Sequence, residues 1–188
     1  MTVALDVPAL VSELDRFDHR LFRMETLPSY AVADDGDDYA RFVRGAAEPD
    51  WSRKQPWLDR LRADRAAGKL RYRVRVLSDQ LTDYERYACS WGYALNVEAG
   101  EDIRVLRRGE HSVPAGLIER DFWVVDDREV VAMDYDPAGG FRGARVLGSD
   151  QLATHLSARD QAWAAAEPFS TWWTRHPELH RKAHSAGA

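Results

Sequence analysis

The sequence predicts a single α+β domain over residues 1–188, with an antiparallel or mixed sheet of about five strands flanked by helices. Three observations carry that reading. Leu70–Leu77, LRYRVRVL, alternates strictly between apolar and charged residues, which is the period of a strand. Asp121–Leu147, DFWVVDDREVVAMDYDPAGGFRGARVL, reads as three antiparallel strands joined by tight turns. Around these lie segments whose apolar residues recur at roughly 3.6-residue spacing, as helices packed on a sheet require.

Taken in order, Leu10, Val11, Leu14 and Phe17 mark a first helix, with Pro8 suited to its first turn. Phe22–Tyr30 reads as extended and is broken by Pro28. Asp34, Asp35, Asp37 and Asp38 lead into a short helix over Tyr39–Val43, where acids favour the helix dipole, and Gly45 suits its C-terminal end. The run lacks the liganding positions and terminal Glu of a calcium loop. Pro56–Ala67 forms the next helix, with Trp57, Leu58 and Leu61 apolar and Gly68 ending it. After the Leu70–Leu77 strand, Ser78 or Asp79 can cap a helix whose stripe is Leu81, Tyr84, Ala88, Trp91 and Leu95. Asn96–Gly100 is a turn, Asp102–Leu106 a short strand, and Pro114–Gly116 a loop before the meander. The Pro and Gly of Asp136–Gly140 suit the second hairpin of the meander. Ser149 or Asp150 caps a last long helix through Leu152, Leu156 and Trp163. Pro168 breaks that helix, and residues 168–188 read as a mobile aromatic and basic tail.

A chain of 188 residues can bury a core without metals or disulfides, and 45% apolar with 30% charged residues is ordinary globular composition. Seven Trp, seven Tyr and six Phe supply large side chains for that core or for a ligand surface. A net charge of −5 and the lack of a helix-turn-helix pattern speak against general nucleic-acid binding or a DNA-binding repressor. The single cysteine, Cys89, reads as a buried thiol and points to a reducing cytoplasm. No apolar run approaches the ~20 residues of a membrane span, and the acidic N-terminal segment is unlike a signal peptide.

The order FRMETLPSY, LRYRVRVLSDQLTDYERY, NVEAGEDIRVLRR and DFWVVDDREVVAMDYDPAGGFRGA resembles an uncharacterised actinobacterial family of single domains. Its strongest motifs here are Ala99–Arg104 and Asp121-Phe122-Trp123 with Asp126-Asp127. Tyr84-Glu85-Arg86-Tyr87-Ala88 departs from the Tyr-x-Arg-Tyr/Phe-Glu order expected of it. The resemblance implies genes beside helix-turn-helix regulators and small partner proteins, and no activity. A weaker resemblance is to degenerate phospholipase-D-like domains, which sense ligands. Active members need a His-x-Lys pair followed by Asp, and this chain offers only His180-Arg181-Lys182 in the tail, with no Asp after it.

The residues that could carry chemistry fall into a few groups. Arg71, Arg73 and Arg75 share one strand face, opposite Tyr72, Val74 and Val76, and Arg107 with Arg108 could extend the row. Such a row can clamp a phosphate or carboxylate, pair with acids of neighbouring strands, or form a solvated outer face, which is its commonest meaning. Gly100 permits a left-handed turn that could project Glu101 beside the row. In the meander, Asp126-Asp127 and Asp136 are read as turn residues, while Asp121 and Asp134 have no turn duty and could act as an acid/base pair or hold Mg²⁺. His176, His180 and His184 are spaced four apart, and a helix would bring the last two onto one face as zinc requires. HPELH is not the HExxH signature, and the tail location favours chance. Consecutive Trp172 and Trp173 suggest a partner-binding anchor or a tail folded back over the body. No P-loop, G-x-G-x-x-G or G-x-S-x-G is present.

These observations lead to a cytoplasmic, non-catalytic module for a small anionic ligand or a regulatory protein partner, linked to transcriptional regulation or secondary metabolism. Its expected contacts are Arg71, Arg73, Arg75, Glu101, Asp121, Trp123 and Asp134, with no cofactor. The alternative is a carboxylate enzyme, with or without a divalent metal, acting on a phosphorylated or amino-acid-derived biosynthetic substrate.

Overall fold

Side chains of Leu70–Leu77 are buried on both faces, and this strand is central to the architecture. The computed structural model describes residues 3–31 and 36–180. The expected Asp34 and Asp35 of the acidic run, and Arg181, Lys182 and His184 of the tail, lie outside them.

Eight strands form one mixed sheet in the order β1-β7-β6-β5-β2-β3-β4-β8, more than the five expected. They are β1 Val3–Leu5, β2 Arg20–Glu25, β3 Leu70–Leu77, β4 Asp102–Arg107, β5 Phe122–Val125, β6 Glu129–Tyr135, β7 Phe141–Val146 and β8 Glu167–Pro168. β2, β3 and β4 run parallel, and β5, β6 and β7 form the antiparallel meander, joined to the parallel part through β2 and β5. Two connections follow from the parallel part, because parallel neighbours need helical crossovers. The first, from β2 to β3, carries α2 (Asp38–Val43) and α3 (Trp51–Ala66). The second, from β3 to β4, carries α4 (Asp83–Tyr87), a π-helical turn (Ala88–Tyr93) and α5 (Ala94–Ala99). Before β2 lies α1 (Val7–Asp15), and after β7 come α6 (Leu152–Ala165) and α7 (Phe169–Arg175).

Local chemistry sets several of these boundaries. α3 starts five residues before Pro56, because the Asp50 carboxylate accepts from Ser52 N and Oγ at 3.0 and 2.6 Å. The helix after β3 is capped by Thr82 rather than Ser78 or Asp79: Thr82 and Glu85 form a reciprocal capping box. The expected Asn96–Gly100 turn is mostly helix, closed by Gly100 at φ +112°. Pro168 ends α6 as expected, yet Phe169–Arg175 is a helix with Phe169 and Trp172 buried against the body.

One face of the sheet is apolar. Phe22, Met24, Val74, Val76, Phe122 and Val124 bury there under α6. The opposite face carries Arg71, Arg73 and Arg75, and it is not solvated. Their relative exposures are 7%, 7% and 0%. Strand alternation separates the two faces correctly, but α3, α4 and α5 cover the charged one.

The β5–β6 connection turns at Asp126 (φ 48°) and Asp127 (φ 56°), the left-handed pair of a type I′ turn closed by Arg128 N on Val125 O. Arg128 is one extra residue before the Val125–Glu129 pair. Asp126 does more than turn. Its carboxylate accepts from the backbone N–H groups of Asp18, His19 and Arg20 at 2.7–2.8 Å, fixing the start of β2. Burial opposes the charge, but these three donors hold the Asp126 carboxyl below its ordinary value. Asp126→Gly should therefore lose about 1–2 kcal/mol in chemical denaturation although it relieves the positive φ. Asp126→Asn should lose less, since it keeps an acceptor and tolerates the conformation. A Gly variant as stable as the parent would show that turn geometry alone fixes this position.

Candidate functional site

The parallel register of β2 and β3 places Arg23 beside Arg73 and Glu25 beside Arg75, while the β2–β5 register sets Trp123 beside Arg23. A row of cations in a covered face is tolerable only if each is paired. Arg73 is paired twice: its Nη1 donates to Glu25 Oε2 at 2.9 Å and its Nε to Glu101 Oε1 at 2.7 Å. Glu101 Oε2 accepts from Asn96 Nδ2 at 2.8 Å, and Asn96 Oδ1 accepts from Trp57 Nε1 at 3.2 Å. Glu25 also accepts from Tyr93 OH at 2.9 Å and pairs with Arg23 Nη2 at 3.0 Å. One buried network thus joins β2, β3, the start of β4, the π-helical turn, α5 and α3. Burial works against the Glu25 charge, but Arg23, Arg73 and Arg75 outweigh it and hold the carboxyl well below the usual range.

Asp121 closes the other side. Its Oδ1 accepts from Thr26 N and Oγ1 at 2.8 and 2.9 Å, and its Oδ2 from Tyr30 OH at 2.7 Å. Burial pushes its carboxyl up, with Arg23 opposing and Glu25 adding to the rise. Arg23 lies 3.9 Å from Asp121, with its guanidinium carbon 4.8 Å from the Trp123 ring centre. The Tyr30 and Tyr93 phenols are raised, chiefly by burial, and stay neutral donors.

Above this floor opens a cleft of about 400 Å³ at the C-terminal end of β2. Its walls are aromatic: Tyr30, Trp57, Tyr84, Tyr87, Trp91 and Tyr93. Arg23, Glu25 and Arg73 form the floor, with Asp38, Arg53 and Lys54 also lining it. Gly92, inside the π-helical turn, borders the cleft, and a Cβ there would meet nothing within 4 Å. The turn widens the helix at this point, a distortion frequent at functional sites.

Of the residues expected to act together, Arg73, Asp121 and Trp123 adjoin Arg23, and Glu101 joins them through Arg73. The rest lie elsewhere. Arg71 pairs with Asp64 at 2.5 Å between the Phe17 and Trp57 rings. Arg75, fully buried, reaches Tyr30 OH at 3.3 Å and Glu85 at 3.7 Å. Glu85, the residue of the departing motif, is fully buried and also accepts from Ser78 and Thr82. Asp134 pairs across strands with Arg145 at 2.9 Å. The β5–β6 register puts Asp134 on the face of Phe122 and Ala132 and Asp121 on the opposite one, so the two carboxylates cannot form one acid pair or metal site. Asp136 accepts from Ala138 N and Gly140 N, as a turn residue does.

His176 is bonded to Glu110 and Glu178, and His180 stacks on Trp173 at 4.1 Å, so these two do not converge on a zinc position. Another group, Glu110, His111 and Glu167, has its ligand atoms within 4.8 Å of one another. His111 Nδ1 accepts from Arg107 N, which keeps the ring proton on Nε2 facing Glu167, and Arg175 bridges Glu110 and Glu167. A guanidinium holds the cation position there. The Cys89 thiol is fully buried, and burial pushes its pKa up, away from nucleophile chemistry.

Sequence reasoning missed Arg23, Glu25, Tyr30 and Tyr93. The available signal was the alternation of Arg23 and Glu25 with Phe22 and Met24, the same two-faced pattern as β3 in a shorter run.

The chain belongs to a family of domains of unknown function, DUF6879, whose model matches residues 9–174 and so spans the whole network and the cleft. No curated protein matches the chain. Among the described residues no helix is long and apolar enough to cross a membrane.

Removing one member of the network strands the others. Glu25→Gln should cost about 3–5 kcal/mol in denaturant unfolding, because Arg23 and Arg73 lose a shared carboxylate in a covered face. Because Glu25 is lowered in the fold, its stabilising contribution is complete above its ordinary value of 4.5 and is lost as pH falls below it. Asp121, which is raised, has the opposite sign and favours the fold at low pH. Acid-titrated stability should therefore fall less steeply below pH 4.5 in Glu25→Gln than in the parent. Equal slopes would remove Glu25 as the group responsible.

Proposed function

We propose that this domain is a non-catalytic, cytoplasmic module that binds a small ligand in the aromatic cleft over β2 and β3. The carrying observation is the cleft itself: about 400 Å³, walled by six aromatic side chains and floored by a fixed ionic network. Concave, mostly apolar sites with a few placed polar groups are how small molecules are held. The non-catalytic reading rests on commitment of the polar groups. Glu25, Asp121, Tyr30 and Tyr93 are each bound to protein partners, which leaves no base poised over a nucleophile. Linkage to a transcriptional regulator or to secondary metabolism fits a sensing domain of this kind, with ligand occupancy passed to a protein partner.

Thermal-shift screening with nucleotides, acyl phosphates and amino-acid-derived acids tests this on the parent and on Gly92→Leu. The added leucine side chain would occupy part of the cleft that Gly92 lines, where nothing lies within 4 Å of a Cβ. A ligand at ~100 times its Kd should raise the parent melting temperature by about 5–10 °C and leave the Gly92→Leu variant unmoved. Equal shifts in both proteins would place binding outside the cleft, and a parent that responds to none of the three classes would reject the reading.

A further inference from the structure

Resting on that reading of the cleft, we propose that its ligand is a planar aromatic acid. Its ring lies between the tyrosine and tryptophan walls, and its carboxylate or phosphate is directed at Arg23.

The sign of the charge follows from what the floor still lacks. Both oxygens of Glu25, Glu101 and Asp121 already accept from protein donors. Both oxygens of Asp38 accept from Asp50 N. A cationic ligand would find no carboxylate oxygen in this set without a protein donor already on it. The unmet groups in this face are donors instead. Arg23 Nε, of a residue that lines the cleft, is buried with no hydrogen-bond partner, as are Arg75 Nε and Nη2 and Trp123 Nε1 behind the lining. What the site can use is an acceptor.

Arg23 is the cation that can reach it. Its side chain keeps 20% exposure towards the cleft, against 8% for Arg73, whose donors Glu25 and Glu101 consume. It is oriented by Glu25 on one edge and by the face of Trp123, so its planar fork is fixed before any ligand arrives. Arg53 and Lys54 at the lining add positive charge along the approach. The ring follows from the walls. Tyr87 and Trp91 lie edge to face at 6.0 Å, and Tyr84 and Tyr87 at 5.8 Å, backed by Tyr39 and Phe42. The wall is a set of mutually tilted, held rings of the kind a flat guest packs against. Gly92 leaves open space at its position in the cleft lining, where a Cβ would meet nothing within 4 Å.

The test uses isosteric probes of different charge on the full chain, measured by isothermal titration: indole-3-acetate, indole-3-acetamide and tryptamine, with AMP and adenosine as a second pair. The acid of at least one pair should bind about tenfold or more tighter than its neutral partner, as one charge-assisted fork contributes. Tryptamine should bind weakest of the indoles. Arg23→Gln should bring acid and neutral probe within about threefold while neutral binding is retained. Preference for acetate over AMP identifies a carboxylate ligand, and the reverse a phosphate. Neutral or cationic probes binding the parent as tightly as the acids would overturn the charge assignment and leave the cleft as a ligand site. Because that comparison is made on the parent, it holds even if Arg23→Gln fails to fold. Failure of every probe while the thermal-shift screen returns a cleft ligand would overturn the aromatic-acid class alone. Silence in both experiments would remove the ligand site with it.

Discussion

Arg73 sits in a covered sheet face between two carboxylates, and most of the molecule is arranged around that fact. A guanidinium taken out of water is costly unless every charge and donor is answered. Glu25 answers from β2 and Glu101 from the turn into β4, so the ion pairs tie the three parallel strands across their shared face. An apolar row could hold α3 and α5 as firmly, but it would not fix the register so strictly. A one-residue slip of β2 would send Arg23 and Glu25 into the apolar face under α6 and leave Arg73 facing Phe22 or Met24. The network therefore specifies the parallel pairing more than it adds to net stability.

The same constraint shapes the cleft. Helices that cover a charged face cannot close on it as they would on leucines, since the ionic groups need partners at defined distances. Tyr93 and Asn96 supply two of these partners, from the π-helical turn and from α5. Tyr93 must point at Glu25 while Trp91 and Cys89 stay in the core, and the wider turn accommodates both demands on neighbouring residues. The space left between Gly92 and the floor is the consequence. Cleft and network are one feature viewed from two sides.

Much of this is legible in the sequence, and the part that is not has a common cause. Strict alternation locates β3 and the meander, and the Gly100 and Asp126-Asp127 conformations are those their residue types favour. β1 and β8, of three and two residues, are too short to show any period. β2 reads only as an extended stretch, because six residues ending before Pro28 give no hint of a central strand with two different neighbours. For the arginines, alternation says that two faces differ, not that the charged one is wet. What decides that lies far along the chain, with Glu25 and Glu101 separated from Arg73 by 48 and 28 residues. Asp121 and Trp123 stand out in the sequence because nothing local explains them. Their explanation is Arg23, reached through an antiparallel pairing that no local pattern encodes.

The division of labour among the arginines follows from how many acceptors each meets. Arg71 has one carboxylate and two rings, and Arg73 has two carboxylates. Arg75 has a phenol and a distant Glu85, deep under the helices. None of these three is both accessible and short of acceptors. Arg23 keeps more exposure and one buried Nε without a partner, and it lies where the sheet changes from parallel to antiparallel neighbours. Glu25, two residues further along the same strand, holds one edge of the guanidinium. On the antiparallel side Arg23 meets Trp123, which orients the guanidinium without consuming its donors. The second carboxylate near Arg23, Asp121, lies at 3.9 Å, beyond the hydrogen-bond reach at which Arg73 holds both of its own. One oriented, under-satisfied cation is thus left at the base of an aromatic cleft.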